Sequence, residues 1–156
     1  MQIYLVQHGQ AKSKDEDADR PLTEAGIADI ERVAASLSGR AQPQHIKPNR
    51  IVHSGKTRAW QTTEILARHL QVADINEVSD LDPMADPGIW SAHLAGMRED
   101  VMLVGHLPHM GRLASLLVCG DANADAVRFQ PGTVVCLERQ EKGWAINWML
   151  PPSLLI

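Results

Sequence analysis

Short apolar runs alternate with amphipathic stretches along this chain. The runs IYLV at 3–6 and VMLVG at 101–105 are bounded by polar residues, and RIVHS at 50–54 is a weaker run of the same kind. Continuous apolar runs of this length predict strands buried on both faces, as in a parallel sheet covered by helices. The runs TVVCLER at 133–139 and WAINWML at 144–150, joined by QEKG, predict a hairpin at the edge of that sheet.

Helical periodicity fills the intervals between the predicted strands. Stripes of residues recur at helical spacing over 27–37, 59–70 and 110–117, and a shorter segment near 87–97 also favours a helix. Ile27 lies on the predicted buried face of the first helix, and Thr62 on that of the second. Thr23 is a suitable N-cap for the helix that contains Ile27, and Pro108 is a favourable first-turn residue for the helix over 110–117. Strands that alternate with helices in this way predict an α/β sandwich.

Length and charge narrow the classes of function. The 156 residues are enough for one domain with a hydrophobic core, and we expect 1–156 to form a single domain. A formal net charge of -4 disfavours nucleic acid as a partner, because general nucleic-acid binding needs a basic face. A phosphorylated or acidic ligand would therefore need a local cluster of cations.

Cysteine usage and the start of the chain indicate the compartment. Cys119 and Cys136 lie in apolar surroundings, and their spacing is not that of a metal-binding or redox pair, so both are predicted to be reduced core thiols. The N-terminus leads directly into a strand without a basic leader, and the sequence contains no run long enough to cross a bilayer. These features predict a cytoplasmic protein without a membrane partner.

Chemically useful residues follow three of the predicted strands. His8 follows the first, the segment 54–58 follows the second, and Gly105-His106 follow the run at 101–105. Ligands of open α/β sheets bind at the carboxyl ends of the strands, so these segments should converge. Two of them lead into helices, whose N-termini favour phosphate.

The residue types at these positions fit phosphoryl transfer. The neutral imidazole of His8 can attack phosphorus and form a phosphohistidine. Arg58 offers a planar fork for bidentate phosphate binding, and His106 can donate hydrogen bonds to a phosphoryl group. Gly9 would let the backbone pass close to the ligand. Each residue alone has an ordinary structural explanation, but their joint placement favours a catalytic site.

Four motifs, LVQHGQA, RPLTEAG, HSGKTRAWQT and LVGHLPHMG, resemble in that order those of the histidine phosphatase superfamily, the phosphoglycerate-mutase-like proteins. The sequence is most similar there to the small SixA-type phosphohistidine phosphatases, nearly end to end. The resemblance implies a three-layer sandwich with a mostly parallel central sheet, helices on both faces and no cap domain. It also implies that His8 accepts the phosphoryl group, that Arg58 and His106 bind phosphate, and that Arg20 is a further phosphate ligand.

The first motif departs from the signature of this family. The usual Arg-His-Gly is replaced by Gln7-His8-Gly9. Gln7 keeps NH2 donors at this phosphate-binding position but lacks the fixed charge and the fork of arginine. Charge-assisted hydrogen bonds are roughly twice as strong as neutral ones, so we expect reduced activity. Lys12 and Lys56 are candidates to replace the lost charge.

The substrate is predicted from the leaving group. Asp82 lies where the family tends to supply a proton-donating carboxylate, but no carboxylate stands out. An imidazole leaves more readily than an alkoxide, because its conjugate acid has a pKa near 6.5. Residues 72–99 leave room for one short helix and no cap. The sequence thus favours hydrolysis of phosphohistidine on a phosphocarrier or phosphotransfer protein, with inorganic phosphate as the product and no cofactor.

Three alternatives stay open at this stage. Gln7 favours a pseudophosphatase that binds phosphohistidine or another phosphate group without turnover, and a proton donor such as Asp82 would favour a phosphomonoesterase for small esters. A metal enzyme is disfavoured, because His106 and His109 have helical spacing but no third ligand is suitably spaced. The remaining histidines are predicted to be structural or exposed: His45, His53, His69 and His93.

Overall fold

The computed structural model describes residues 1–39 and 46–155, in which six strands form one sheet of order β3-β2-β4-β1-β5-β6. The strands are β1 (Gln2–Gln7), β2 (Arg50–His53), β3 (Ile75–Glu77), β4 (Val101–Gly105), β5 (Val134–Arg139) and β6 (Trp144–Leu150). Strands β1 to β4 pair in parallel, whereas β5 and β6 form the antiparallel hairpin expected at the edge. The sequence did not predict β3, because its three residues include a single apolar one.

Helices occupy the four predicted intervals. They are α1 (Glu24–Leu37), α2 (Thr57–Leu70), α3 (Pro87–Gly96) and α4 (His109–Cys119), with a 3-10 turn at Pro152–Leu154. Thr23 caps α1, since its hydroxyl accepts a hydrogen bond from the Gly26 amide at 2.9 Å. Pro108 is the residue before α4 rather than part of its first turn.

The helices cover both faces of the sheet. Tyr4 and Val6 of β1 pack with α1 and α2, whereas Ile3 and Leu5 pack with α3 and α4. This alternation follows from the two-residue period of a strand and gives two apolar cores. The fold is therefore the expected three-layer α/β sandwich with a mostly parallel sheet, and no cap domain covers it within the described ranges.

Two side chains differ from the sequence-based expectation. Ile27, predicted on the buried face of α1 together with Ile30 and Val33, is 39% exposed, because the buried stripe runs through Gly26 rather than Ile27. Cys119 is exposed at the end of α4, whereas Cys136 is buried in β5 as expected. None of the helices that the structure describes is long and apolar enough to cross a membrane.

The strand order places three carboxyl ends side by side. β4 lies between β2 and β1, with Gln7 paired to Gly105 and His53 paired to Val104. The residues that follow these three strands therefore emerge at one edge of the sheet, which is where open α/β folds bind ligands.

Candidate active site

The backbone around His8 is held by two neighbouring elements. The His8 amide donates to the Gly105 carbonyl at 3.0 Å, and the Gly9 amide donates to the Thr62 hydroxyl at 3.0 Å. A Cβ at Gly9 would lie 2.9 Å from the side chain of Ile30, so a larger residue would push against α1. His8 thus leaves β1 on a backbone fixed by β4 and α2.

Hydrogen bonds define the tautomer of His8. Its Nδ1 lies 2.7 Å from the Gly9 carbonyl, which can only accept, so Nδ1 carries the proton and donates it. Nε2 then carries no proton, and its lone pair accepts a hydrogen bond from the Nε of Arg58 at 3.3 Å. The unprotonated nitrogen of His8 therefore faces a guanidinium group.

The electrostatic environment keeps His8 neutral. Burial lowers the pKa of His8 to about 4, and although its hydrogen bond to Gly9 opposes this change, the charges of Arg58 and Arg20 lower the pKa further. At neutral pH the imidazole is consequently uncharged, as a nucleophile must be.

His106 lies beside His8 and is almost fully buried. The two ring centroids are 4.9 Å apart, and the Nε2 of His106 lies 2.6 Å from the hydroxyl oxygen of Ser54. Burial lowers the pKa of His106 to about 3, with smaller contributions from His8, Arg58, Lys56 and Arg20. Its Nδ1 is buried and has no hydrogen-bond partner among the described residues.

The charges of Arg20 and Asp82 both act on Arg58. Burial lowers the pKa of Arg58 and the charge of Arg20 lowers it further, whereas the carboxylate of Asp82 opposes both. Arg20 adopts a left-handed φ of 49°, uncommon for a residue other than glycine, and its Nε donates to the Lys12 carbonyl at 3.1 Å. Asp82 lines a shallow hollow with Ser54 and Lys56.

Gln7 ends β1 directly before His8. Its side chain is 8% exposed, and its Oε1 is buried without a hydrogen-bond partner among the residues described. The backbone of Gln7 is bound to the two residues before β5, since its amide donates to the Thr133 carbonyl and its carbonyl accepts from the Gly132 amide. Rotating the side-chain amide by 180° would place its NH2 donors at the unpartnered position.

The two candidate lysines differ in what their charges reach. The ammonium of Lys56 contributes to the lowered pKa of His106. The ammonium of Lys12 instead acts on the exposed carboxylate of Glu16, whose pKa is lowered mainly by hydrogen bonds from Ser13. Of the two lysines, Lys56 is therefore the better candidate for an additional positive charge that acts on His106.

The other histidines lie apart from this cluster or have structural contacts. His53 accepts a hydrogen bond from the Gly55 amide at 3.0 Å, and His69 pairs with Glu31. His109 is fully buried, His93 is exposed, and His45 lies outside the described residues. Within residues 1–39 and 46–155, no group of three or more His, Cys, Asp or Glu side chains is arranged to hold a metal ion.

Two residues of the site had no role in the sequence analysis. Thr62 was placed in the apolar stripe of α2, but its hydroxyl accepts from the Gly9 amide and donates to the Arg58 carbonyl at 2.8 Å. Ser54 was noted only as part of the segment after β2, but its hydroxyl contacts His106. A hydroxyl residue in an otherwise apolar stripe is the signal that could have indicated Thr62.

Known proteins share this fold and parts of the sequence. The chain is 26% identical to a protein histidine phosphatase SixA complexed with tungstate, with a TM-score of 0.83 over 99% of each chain. It is 27% identical to SixA of Agrobacterium tumefaciens, with a TM-score of 0.78 over 97% of each chain.

A likeness over a shorter part of the sequence links the chain to a curated protein phosphatase. It is 41% identical over 70 residues to the mitochondrial serine/threonine-protein phosphatase PGAM5 of Homo sapiens, covering 44% of this chain and 22% of that protein. The matched part therefore spans about a quarter of the length of the PGAM5 relatives. The model of the histidine phosphatase superfamily (branch 1) matches residues 3–94. With more than half of its length matched by that model, this chain belongs to the histidine phosphatase superfamily.

Proposed function

We propose that this protein is a phosphohistidine phosphatase, in which His8 takes a phosphoryl group from a histidine of another protein and passes it to water. The observation that carries the proposal is the unprotonated Nε2 of His8, which faces the Nε of Arg58 at 3.3 Å. A neutral nucleophile beside a guanidinium can both attack phosphorus and hold the charge of the phosphoryl oxygens.

The first step transfers the phosphoryl group to His8. The lone pair of Nε2 forms the new N–P bond, while the N–P bond to the substrate imidazole breaks and its electron pair stays on the leaving nitrogen. Arg58, Arg20 and His106 are the proposed phosphate ligands. Gln7 and Gly9, which flank His8 in the sequence, are proposed to bind phosphate as well. Positive charge and donors at the equatorial oxygens lower the barrier to such a transfer.

The second step restores the enzyme. A water molecule attacks phosphorus, the N–P bond to His8 breaks, and the electron pair returns to Nε2. The proton lost by the water is taken up by the phosphate or by the solvent, and inorganic phosphate is released. The hydrogen bond from Nδ1 to the Gly9 carbonyl keeps the ring in one orientation through both steps.

The leaving group explains why phosphohistidine is favoured over an ester. A substrate imidazole that already carries a proton on its second nitrogen departs neutral and needs no strong acid. Asp82 is a candidate acid, because it lines the hollow beside Ser54 and its charge reaches Arg58. The absence of a cap over the described site also suits a histidine displayed on a phosphocarrier or phosphotransfer protein. A cytoplasmic location and a single domain over 1–156 stay predictions.

The similar proteins support the proposal in chemical terms. The SixA structure with 26% identity is that of a protein histidine phosphatase and holds tungstate, a tetrahedral oxyanion with the shape of phosphate. The PGAM5 relatives are protein phosphatases too, although they are named for serine and threonine. A protein substrate is thus common to both sets of relatives.

Transfer of labelled phosphate tests the proposal. A carrier protein phosphorylated on histidine with ³²P is mixed with enzyme in excess and quenched over time. We expect label to appear on the enzyme and then as inorganic phosphate, and to be absent from the enzyme in His8→Asn. His93→Asn, which changes an exposed histidine, is the matched control. Absence of label on the wild-type enzyme, together with unchanged donor, would contradict the proposal.

Gln7 supports one second candidate, a pseudophosphatase that binds phosphohistidine or another phosphate group. Its amide replaces the charged fork of the family signature and has a buried oxygen without a described partner. A pure binder would retain the labelled carrier in a pull-down but leave the label on it. A small phosphate ester in a parallel reaction separates both candidates from a phosphomonoesterase, which would release phosphate from the ester.

A further inference from the structure

Ser54 contacts Nε2 of His106, the ring nitrogen that has a hydrogen-bond partner within the described residues. The hydroxyl oxygen of Ser54 lies 2.6 Å from Nε2 of His106, and the side chains are 8% and 1% exposed. Ser54 follows β2 directly, and its hydroxyl oxygen also accepts a weak hydrogen bond from the Lys56 amide at 3.4 Å. The contact therefore links the end of β2 to the residue after β4.

Two proton arrangements are compatible with this short contact. If Nε2 carried the proton, the hydroxyl of Ser54 would accept it, and the serine hydrogen would then have no acceptor among the described residues. If Ser54 donates to Nε2 instead, the hydroxyl oxygen keeps its bond from Lys56 and Nδ1 of His106 carries the ring proton. The first arrangement leaves two polar groups without a described partner, the serine hydrogen and the Nδ1 lone pair, whereas the second leaves only the Nδ1 hydrogen. Unmade buried hydrogen bonds are costly, so the second arrangement is favoured.

We propose that Ser54 is a positioning residue that donates to Nε2 of His106 and thereby makes Nδ1 the donor that faces the transferred phosphoryl group. The inference rests on the proposed phosphoryl transfer. It accounts for the buried Nδ1 that lacks a partner within the described chain: this atom becomes satisfied when a phosphoryl oxygen is present. With the opposite tautomer, a lone pair at Nδ1 would repel the same oxygen.

The surroundings of His106 make its tautomer matter. A doubly protonated ring would donate from both nitrogens whatever Ser54 did. Besides burial, the groups that lower the pKa of His106 are His8, Arg58, Lys56 and Arg20. None of them carries a negative charge that would favour the protonated ring. Together with burial they keep His106 neutral, so a single ring proton must be placed, and Ser54 is the group that places it.

The ¹⁵N shifts of the histidine rings test this placement directly. Long-range ¹H–¹⁵N spectra of the full chain are recorded at pH 7 without substrate, and the His106 signals are assigned by their loss in His106→Asn. We expect a protonated, pyrrole-type shift at Nδ1 and an unprotonated, pyridine-type shift at Nε2. A proton on Nε2, or on both nitrogens, overturns the inference whether or not a Ser54 variant folds.

Substitution of Ser54 supplies the second measurement. In Ser54→Ala we expect the His106 proton to move to Nε2, and the rate constant for label transfer to His8 to fall about 10- to 100-fold through loss of one donor to a charged group. KM should change little. Ser54→Thr keeps the hydroxyl and should keep both the wild-type tautomer and the rate. An unchanged tautomer in Ser54→Ala overturns the inference.

Ser115 provides the matched control. It is also buried, and its hydroxyl accepts from the Ala126 amide at 3.0 Å, so Ser115→Ala removes a serine hydrogen bond that joins α4 to the segment after it. We expect neither the tautomer of His106 nor the transfer rate to change, and a change equal to that of Ser54→Ala overturns the inference. The spectra need no substrate, so a wrong tautomer counts against Ser54 alone, whereas missing label on wild-type His8 counts against the proposed function.

Discussion

The parallel and antiparallel halves of the sheet differ in what they contribute to the candidate site. In the parallel half, β2, β4 and β1 end at one edge and deliver Ser54, His106 and His8 to it. In the antiparallel half, β5 and β6 run in opposite directions, so their carboxyl ends lie at opposite edges. The antiparallel half contributes backbone contacts at Gly132 and Thr133 that hold the end of β1.

The parallel half of the sheet carries the candidate catalytic residues, and the antiparallel half supports the strand that leads to His8. Gln7, Ser54 and His106 are buried polar residues at the ends of parallel strands, which is where open α/β sheets bind ligands. The hairpin instead pairs with one edge of β1 through β5, in which Val134, Val135 and Cys136 are fully buried. Mutations in the two halves should therefore have different consequences for activity and for stability.

Arg58 and Arg139 give the largest expected contrast. Arg58→Met should lower the rate of label transfer to His8 about 10²- to 10³-fold, the cost of removing one electrostatic donor from an active site. Arg139, in β5, donates to the Met97 carbonyl at 2.9 Å and to the Leu94 carbonyl, and it stacks on Trp144. Arg139→Met should leave the rate unchanged but lower the free energy of unfolding by about 1–3 kcal/mol.

Rapid-quench kinetics and urea unfolding of both variants check this contrast. The two substitutions introduce the same side chain, so each variant is the control for the other. Equal losses of transfer rate, with equal losses of stability, would show that the two halves do not divide the tasks in this way.

Replacement of Gln7 should raise the transfer rate, whereas replacement of Arg58 lowers it. Gln7→Arg restores the charged fork of the family signature, and we expect the transfer rate to rise about tenfold, since charge-assisted hydrogen bonds exceed neutral ones by more than about 1 kcal/mol. Gln2→Arg, at the opposite end of the same strand, is the matched control and should not change the rate. A rate for Gln7→Arg at or below that of wild type would mean that Gln7 is suited to this site.

The next prediction concerns how the rate of label transfer depends on pH below 7. Because burial lowers the pKa of His8 to about 4, the fraction of neutral His8 should stay nearly complete at pH 5.5. An ordinary histidine would be about nine-tenths protonated there, with a roughly tenfold slower transfer. The rate of label transfer, corrected for loss of label from the donor alone, should be equal at pH 5.5 and pH 7. A tenfold fall would contradict the lowered pKa.

The same titration affects stability with a defined sign. The folded pKa of His8 is lower than the unfolded value, so the unfolded chain binds more protons below about pH 6.5 and stability falls as pH decreases towards 4. His106, with a pKa of about 3, extends this loss to lower pH. Urea unfolding at pH 7 and pH 5 should show a smaller decrease in His8→Asn than in the wild type.

The lysines give the smallest expected effect. Lys56→Met should slow label transfer about two- to fivefold, as expected for one partly solvated charge. Lys12→Met should leave the rate unchanged, because the charge of Lys12 acts on Glu16 outside the site. Rapid-quench kinetics of the two variants check this difference, and equal effects would contradict it.

Sequence analysis predicted most of the fold, because the periodicity of apolar residues is a local property. It located five strands and four helices, including the edge hairpin, and expected His8, Arg58 and His106 to meet. It missed β3, whose pairing with β2 rather than its own apolar content makes it a strand. It also placed Ile27 inside, since a helical stripe has a width that only the neighbouring elements limit.

Sequence analysis predicted which residues belong to the candidate site, but not which ring nitrogens of the histidines carry a proton. The roles of His8, Arg58, Arg20, His106, Gln7, Gly9 and Asp82 stay predictions. Their arrangement shows why Ser54 and Thr62 were not found: each acts through a contact between elements distant in sequence. Ser54 and His106 are 52 residues apart in the sequence, and Gly9 and Thr62 are 53 residues apart.

By itself, the sequence determined the class of fold, the order of its elements and the residues that end the central strands. These features depend on hydrophobic period, capping and glycine, which act over a few neighbouring residues. Tertiary structure alone decided that β4 lies between β1 and β2, and hence which ring nitrogen of His8 is free and which hydroxyl meets His106. Those outcomes depend on contacts across the sheet, where burial and opposing donors place individual protons.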